Sequence, residues 1–146
     1  MSQTIYPLER RGAGKYAIPR FIRKTDRTSG ILLHPTSLPG PLGGGTFSSD
    51  ACKFIDWLAS TGQTYWQILP LGGTGLGNSP YMSNSAFAGN ILLIDLAELA
   101  SQGWLSREDL APHPEFRADR VNFAVLYPYR MERLRRAAKN FFANRH

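Results

Sequence analysis

Two short apolar runs and the helical stretch between them constrain this chain most. GILL at 30–33 and TYWQILPL at 64–71 are apolar or aromatic almost throughout, without the polar alternation of a half-exposed strand. That pattern predicts two buried strands, covered on both faces as in a parallel sheet. Between them Ala51, Phe54, Ile55 and Leu58 share one helical face. The helix is expected to start near Ser49 or Asp50, both good N-caps, and to stop at Gly62, which suits the position past the last turn. Strand, helix and strand in this order make a βαβ unit with a right-handed crossover. The fold class is therefore α/β.

Further on, ILLI at 91–94 reads as a third extended piece. Asp95-Leu-Ala-Glu98 has the form of a capping box opening a short helix that ends at Gly103. Ser106-Arg-Glu-Asp109 opens another turn or short helix. A final helix is expected over about 123–142, with Tyr127, Met131, Leu134, Ala138 and Phe141 as its apolar face and Pro128 kinking it or delaying its start. Arg130, Arg133, Arg136 and Lys139 fall mostly away from that face and read as solvated. Trp57 and Trp66 are expected in the core, Trp104 at a helix end, and Cys52 as a small buried hydrophobe.

At 146 residues and 42% hydrophobic, the chain is long and apolar enough for one domain with an ordinary core. Its net charge of +6 is concentrated at the ends. Residues 1–27 hold seven basic and two acidic side chains, and residues 128–146 hold six and one. Residues 1–28 read as a basic extension docked through Tyr16, Ile18, Phe21 and Ile22, and 29–146 as the folded unit. A basic end suits an anionic partner. The Arg130–Lys139 stretch, however, lacks interleaved aromatics or any nucleic-acid motif, so no nucleic acid is expected. No apolar run approaches the 18 residues of a membrane span, and no secretory leader is evident. The single cysteine excludes an intrachain disulfide and fits a cytoplasmic location. No metal site is expected, because multi-cysteine sites are impossible and neither His113 nor His146 has a partner. There is no Gly-x-Ser-x-Gly elbow, and Gly43–Gly45 is not followed by the Lys of a phosphate loop.

The loops carry the functional signal. Across 28–94 only Asp50, Lys53 and Asp56 are charged, and all three sit on the first helix. The loops following both strands, TSLPGPLGGGTF and LGNSPYMSNSAFAGN, are neutral and rich in hydroxyl, amide and glycine residues. In barrels of parallel strands such loops build the active site. A wall of this kind suits a ligand made of hydroxyls, which both donate and accept hydrogen bonds. The plain alternative is a structural loop held by Asx and Ser turns. His34 ends the first strand, where a site residue could sit; its plain reading is a structural histidine bonded to nearby backbone.

GILLHPTSLPGP and WQILPLGGTGLGNSPYMSNSAFAGN resemble the N-terminal motifs of the amylomaltases, the 4-α-glucanotransferases or disproportionating enzymes of the α-amylase superfamily. The likeness runs over roughly residues 29–105 and more weakly to about 135. It implies a (β/α)8 TIM barrel with inserted subdomains, of which 29–146 would be the first β/α units and an inserted helical segment. It implies retaining transfer of α-1,4-glucan segments between maltooligosaccharides through a covalent glycosyl-enzyme, without cofactor or metal. By the same resemblance Tyr81 packs against the sugar whose bond is broken, and Gly77, Asn78 and Ser79 line the donor side with it. The chain departs from the family pattern at Leu76 (often Tyr), Asn78 (usually Asp), Met82 (usually Gln) and Asn84 (usually Phe).

Retaining transfer needs two carboxyl groups about 5–5.5 Å apart. Asp50 and Asp56 lie about 240° apart around one helix and cannot converge. Asp95, the best single candidate, reads as an N-cap, and Glu108 and Asp109 as helix-start residues. No catalytic residue is therefore assigned in this chain. In the resembled family the carboxylates lie downstream, and a whole barrel needs about 250 residues. The chain reads as an incomplete barrel, inactive alone, with α-1,4-glucans and the missing remainder of the barrel as its partners. The alternatives are a non-catalytic glucan-binding remnant or regulator for function, and a plastid for location.

Overall fold

A computed structural model describes residues 27–144. The predicted docking of Tyr16, Ile18, Phe21 and Ile22, the rest of the basic extension up to residue 26, and His146 lie outside the described residues. The βαβ unit is present. Strand β1 (Gly30–Leu32) pairs in parallel with β2 (Tyr65–Gln67), with Gly30 opposite Tyr65 and Leu32 opposite Gln67. The pairing continues one step beyond the strands, where the Leu33 N–H donates to the Gln67 carbonyl at 3.0 Å. Trp66 Nε1 donates to the Leu33 carbonyl at 2.7 Å. The strands are shorter and less buried than their composition predicts: Leu32 is 56% exposed, and Tyr65 and Trp66 are half-buried. Two strands and one helix cannot cover both faces of their own sheet.

Helix α1 (Ser49–Ser60) connects the strands. Its N-cap is Ser48, one residue before the predicted pair, because the Ser48 hydroxyl accepts from the Asp50 N–H. Thr61 caps the other end and Gly62 follows at positive φ, as expected. Ala51 and Leu58 are buried, and Phe54 and Ile55 partly so. Two predictions for this helix fail. Cys52 is exposed, because it lies about 100° around the axis from buried Ala51. Trp57 is 52% exposed, and its ring stacks outside Phe54 at 5.6 Å rather than entering the core. Phe54 in turn meets Trp66 edge-on at 5.0 Å.

The ILLI run is not extended. Asn90 caps a single 3-10 turn, Ile91–Leu93, by accepting from the Leu92 N–H at 2.9 Å. The buried Leu92 and Leu93 side chains explain the apolar run without a strand. Helix α2 (Leu96–Ser101) is capped by Asp95, whose carboxylate accepts from the Ala97 N–H, and Gly103 follows its C-cap as predicted. The Ser106–Asp109 turn is held reciprocally: the Asp109 carboxylate accepts from the Ser106 N–H and the Ser106 hydroxyl from the Asp109 N–H.

Helix α3 (Phe123–Ala143) has the predicted span and runs through Pro128. Its buried side differs from the expected one. Leu126, Tyr129, Arg130 and Ala137 are buried, whereas Tyr127 is 51% exposed and Ala138 lies outside. The reading excluded arginine from the inner face, and that displaced the face by about one residue. Tyr129 and Ala137 join Leu96 and Leu105 in the core under α2, and Trp104 meets Phe141 edge-on at 5.0 Å. Three arginines of α3 bind the domain together, while Lys139 is exposed as expected. Arg130 Nη1 donates to the Ile94 carbonyl, Arg133 Nε to the Asp109 carbonyl, and Arg136 pairs with the buried Asp109 carboxylate. The Arg133 guanidinium also lies 3.4 Å from the centre of the Tyr129 ring, a cation–π contact.

Candidate functional site

The two neutral loops leave the C-terminal ends of adjacent parallel strands. The first is compact. The Gly45 N–H donates to the Thr36 carbonyl at 3.1 Å, and a Cβ at Gly45 would overlap the Pro35 carbonyl, so the chain can close there only on glycine. His34 caps a 3-10 turn, Pro35–Ser37. Its Nδ1 accepts from the Thr36 N–H at 3.3 Å and lies 2.7 Å from the Thr36 hydroxyl. The structural reading of His34 therefore holds. Burial keeps its pKa below the ordinary histidine value.

The second loop is built in two tiers. At its base the Asn90 N–H donates to the Leu71 carbonyl at 2.8 Å, and Gly72 faces Gly89 in an antiparallel bridge. Farther out Thr74 faces Ser83, and the Gly75 N–H donates to the Met82 carbonyl at 2.8 Å. Two serines fix the return strand. The Ser83 hydroxyl donates to the Ser85 carbonyl at 2.7 Å, while the Ser85 hydroxyl accepts from the N–H groups of Phe87 and Ala88. The Ser turns weighed as a structural reading are thus real, and they hold the loop that carries the predicted site residues.

At the tip Gly77 and Asn78 are both left-handed, with φ of +78° and +56°. Glycine takes this conformation freely, and asparagine is among the residues that tolerate it best. The departure at Asn78 is therefore compatible with the turn. Ser79 is extended, and the chain turns again over Pro80 and Tyr81, where the Met82 N–H donates to the Ser79 carbonyl at 3.1 Å and the Ser79 hydroxyl accepts from the Tyr81 N–H at 3.3 Å. Gly77, Asn78, Ser79 and Tyr81 thus share one short turn. The Tyr81 ring is 73% exposed and Met82 60% exposed. The Leu76 side chain lies outside the described structure. Phe87, on the return strand, is fully exposed, a residue for which the sequence reading gave no role.

Three of the carboxylates considered for catalysis serve the fold, and Asp56 is exposed on α1. Asp50 pairs with Lys53 at 2.8 Å, Asp95 caps α2, and Asp109 accepts from Ser106 and pairs with Arg136. Asp119 sits between Arg120 and Arg117, which hold its pKa down at about 2. Among the described residues no group of three or more His, Cys, Asp or Glu side chains could hold a metal ion. No helix among them is long and apolar enough to cross a membrane. A groove of about 740 Å³ runs between α1 and α2, lined chiefly by Phe47, Cys52, Leu71, Leu93, Ile94 and Leu99. Sequence reasoning missed the orphan at the end of β1: His34 Nε2 is buried and makes no hydrogen bond among the described residues. The only signal for it was the position of a histidine directly after a strand.

Residues 33–146 match the family model described as 4-alpha-glucanotransferase. Among curated proteins, the 4-alpha-glucanotransferase of Thermus thermophilus is 49% identical over 115 residues, covering 79% of this chain and 22% of that protein. The Synechocystis 4-alpha-glucanotransferase is 48% identical over 118 residues, covering 81% and 23%. The chloroplastic/amyloplastic enzyme of Arabidopsis thaliana is 45% identical over 113 residues, covering 77% and 19%. Among solved structures, the amylomaltase from Streptococcus agalactiae in complex with acarbose superposes with a TM-score of 0.76 at 45% identity, covering 82% of this chain and 24% of that one. The chain thus spans about a quarter or less of the length of the relatives it matches.

Proposed function

This chain belongs to the 4-alpha-glucanotransferase family, and from that premise we propose that residues 29–146 form the first β/α units, with an inserted helical segment, of a (β/α)8 barrel that transfers α-1,4-glucan segments between maltooligosaccharides. In this reading Gly77, Asn78, Ser79 and Tyr81 contact the glucan. The observation that carries it is the exposed Tyr81 ring at the tip of a neutral, internally braced loop, leaving the C-terminal end of a parallel strand. The ring offers an apolar face to the C–H side of a pyranose. Ser79 and Asn78 offer donors and acceptors to its hydroxyls. The loop is already held by its own ladder and serines, so ordering it on binding costs little.

The same reading assigns the chemistry elsewhere. Retaining transfer needs a nucleophilic carboxylate and an acid/base carboxyl group, and Asp50, Asp95, Asp109 and Asp119 are engaged in caps and ion pairs. The pair falls to the part of the relatives that this chain does not span, and the free edges of the two-stranded sheet are where the further barrel strands would pair. We place the protein in the cytoplasm, with a plastid as the alternative by analogy with the Arabidopsis relative.

A segment swap tests the glucan site. Residues 33–144 replace the matched segment of the Thermus thermophilus enzyme, and acarbose binding is titrated calorimetrically. Tyr81→Ala is expected to weaken binding roughly 10- to 100-fold, or about 1–3 kcal/mol, with the melting temperature nearly unchanged. Unchanged acarbose affinity in a folded Tyr81→Ala protein would remove Tyr81 from the site.

A further inference from the structure

His34 is 8% exposed and sits two residues past the end of β1. The backbone N–H of Thr36 donates to its Nδ1, so that nitrogen is an acceptor and the ring proton resides on Nε2. The buried ring is held neutral at neutral pH, as this acceptor role requires. Nε2–H is then a buried donor with no hydrogen-bonded partner among the described residues. Buried donors left unpaired are uncommon and call for an explanation. The Pro70 carbonyl lies close enough to favour the charged ring, yet makes no hydrogen bond of ordinary geometry with it. Pro70 is on the chain leaving β2, immediately before Leu71, whose carbonyl takes the first hydrogen bond of the Tyr81 loop from Asn90.

Resting on the glucan-loop reading above, we propose that His34 is a positioning residue for that loop, and that its Nε2–H closes onto the Pro70 carbonyl to tie the turn after β1 to the base of the loop after β2. The path is contiguous: Thr36 orients the ring, the ring reaches Pro70, and Leu71 with Asn90 sets the loop that carries Tyr81. Leu33 and Gln67 already hold the two strand ends together beside it, at 3.0 Å.

Two conservative variants separate this role from a local cap. His34→Gln keeps a donor near the position of Nε2 and loses the Nδ1 acceptor. His34→Asn keeps an acceptor near the position of Nδ1 and loses the reach to Pro70. Each is made in the segment-swapped enzyme, beside His34→Ala, and read in two ways: steady-state transfer with maltotriose, and hydrogen exchange of the Asn90 amide. We expect His34→Ala and His34→Asn to raise KM about tenfold with kcat within about twofold, and to lose Asn90 protection. His34→Gln should restore both. Rescue by Asn but not by Gln would show a local cap and overturn the proposal, as would unchanged KM and exchange in all three. If the unsubstituted swapped enzyme transfers no glucan, the functional reading fails, and the Asn90 exchange pattern still decides the role of His34.

Discussion

Arg130 on α3 donates from Nη1 to the carbonyl of Ile94 at 2.7 Å, 36 residues earlier, while its side chain is 1% exposed. This one bond joins α3 to the residue before the N-cap of α2. Burial pulls the guanidinium pKa down to about 10, and Tyr129 and Asp95 oppose that pull. The Nε–H has no hydrogen-bond partner among the described residues.

The balance at Arg130 predicts the sign of two substitutions. Burying the charge costs more than its partners return, so Arg130→Met, which fills the space without a charge, should be neutral or stabilising by up to about 1–4 kcal/mol. Arg130→Ala leaves a cavity and should cost about 2–5 kcal/mol. Denaturant midpoints of both variants decide the matter. A methionine as damaging as alanine would mean that the Ile94 bond outweighs the desolvation.

Asp109 predicts an acid limb. The Ser106 N–H, then the Ser106 hydroxyl and Arg136, hold its carboxyl below the usual value, against the opposing effect of burial. A carboxyl whose folded pKa is depressed contributes stability that is present above its unfolded pKa of about 3.9, and loses it as the pH falls through the folded value. Asp109→Asn should therefore be less stable than the parent at neutral pH and show a shallower loss below about pH 3.9. Melting temperatures from pH 7 downward check this, and parallel curves for the two proteins would contradict it.

Asn78 predicts a conformational cost. At φ +56° a β-branched residue is strained, whereas glycine is free. Asn78→Val should lose about 1–2 kcal/mol, and Asn78→Gly should change stability little. Equal losses for both would point to a role of the amide group itself rather than of the backbone.

These particulars show what was legible in the sequence. The parallel βαβ unit was, because GILL and TYWQILPL are short unbroken apolar runs and the α1 face between them carries a helical period. The helix ends at Gly62 and Gly103 were, because their signal is a single residue. The exposed Tyr81 turn was, because a long neutral stretch without a period has no core face to bury. The shape of ILLI was not, because the Asn90 side chain bent it. The inner face of α3 was misread because Arg130 is buried by partners 35 or more residues away, and Arg136 pairs with Asp109 27 residues away. Cys52 and Trp57 were misplaced because residue type was taken for burial. The orphan Nε2–H of His34 left only a faint trace, a histidine placed directly after a strand, because its burial and missing partner are set in three dimensions.

The most direct test of the central claim is glucan transfer by the segment swap itself. The Thermus thermophilus enzyme carrying residues 33–144 of this chain is incubated with maltotriose, beside the 146-residue chain alone, and glucose and longer products are followed. Disproportionation by the swapped enzyme and none by the chain alone is expected, since the proposed function puts the retaining carboxylate pair outside the chain. A folded swapped enzyme without transfer, or transfer by the chain alone that a substitution within it abolishes, would contradict the account.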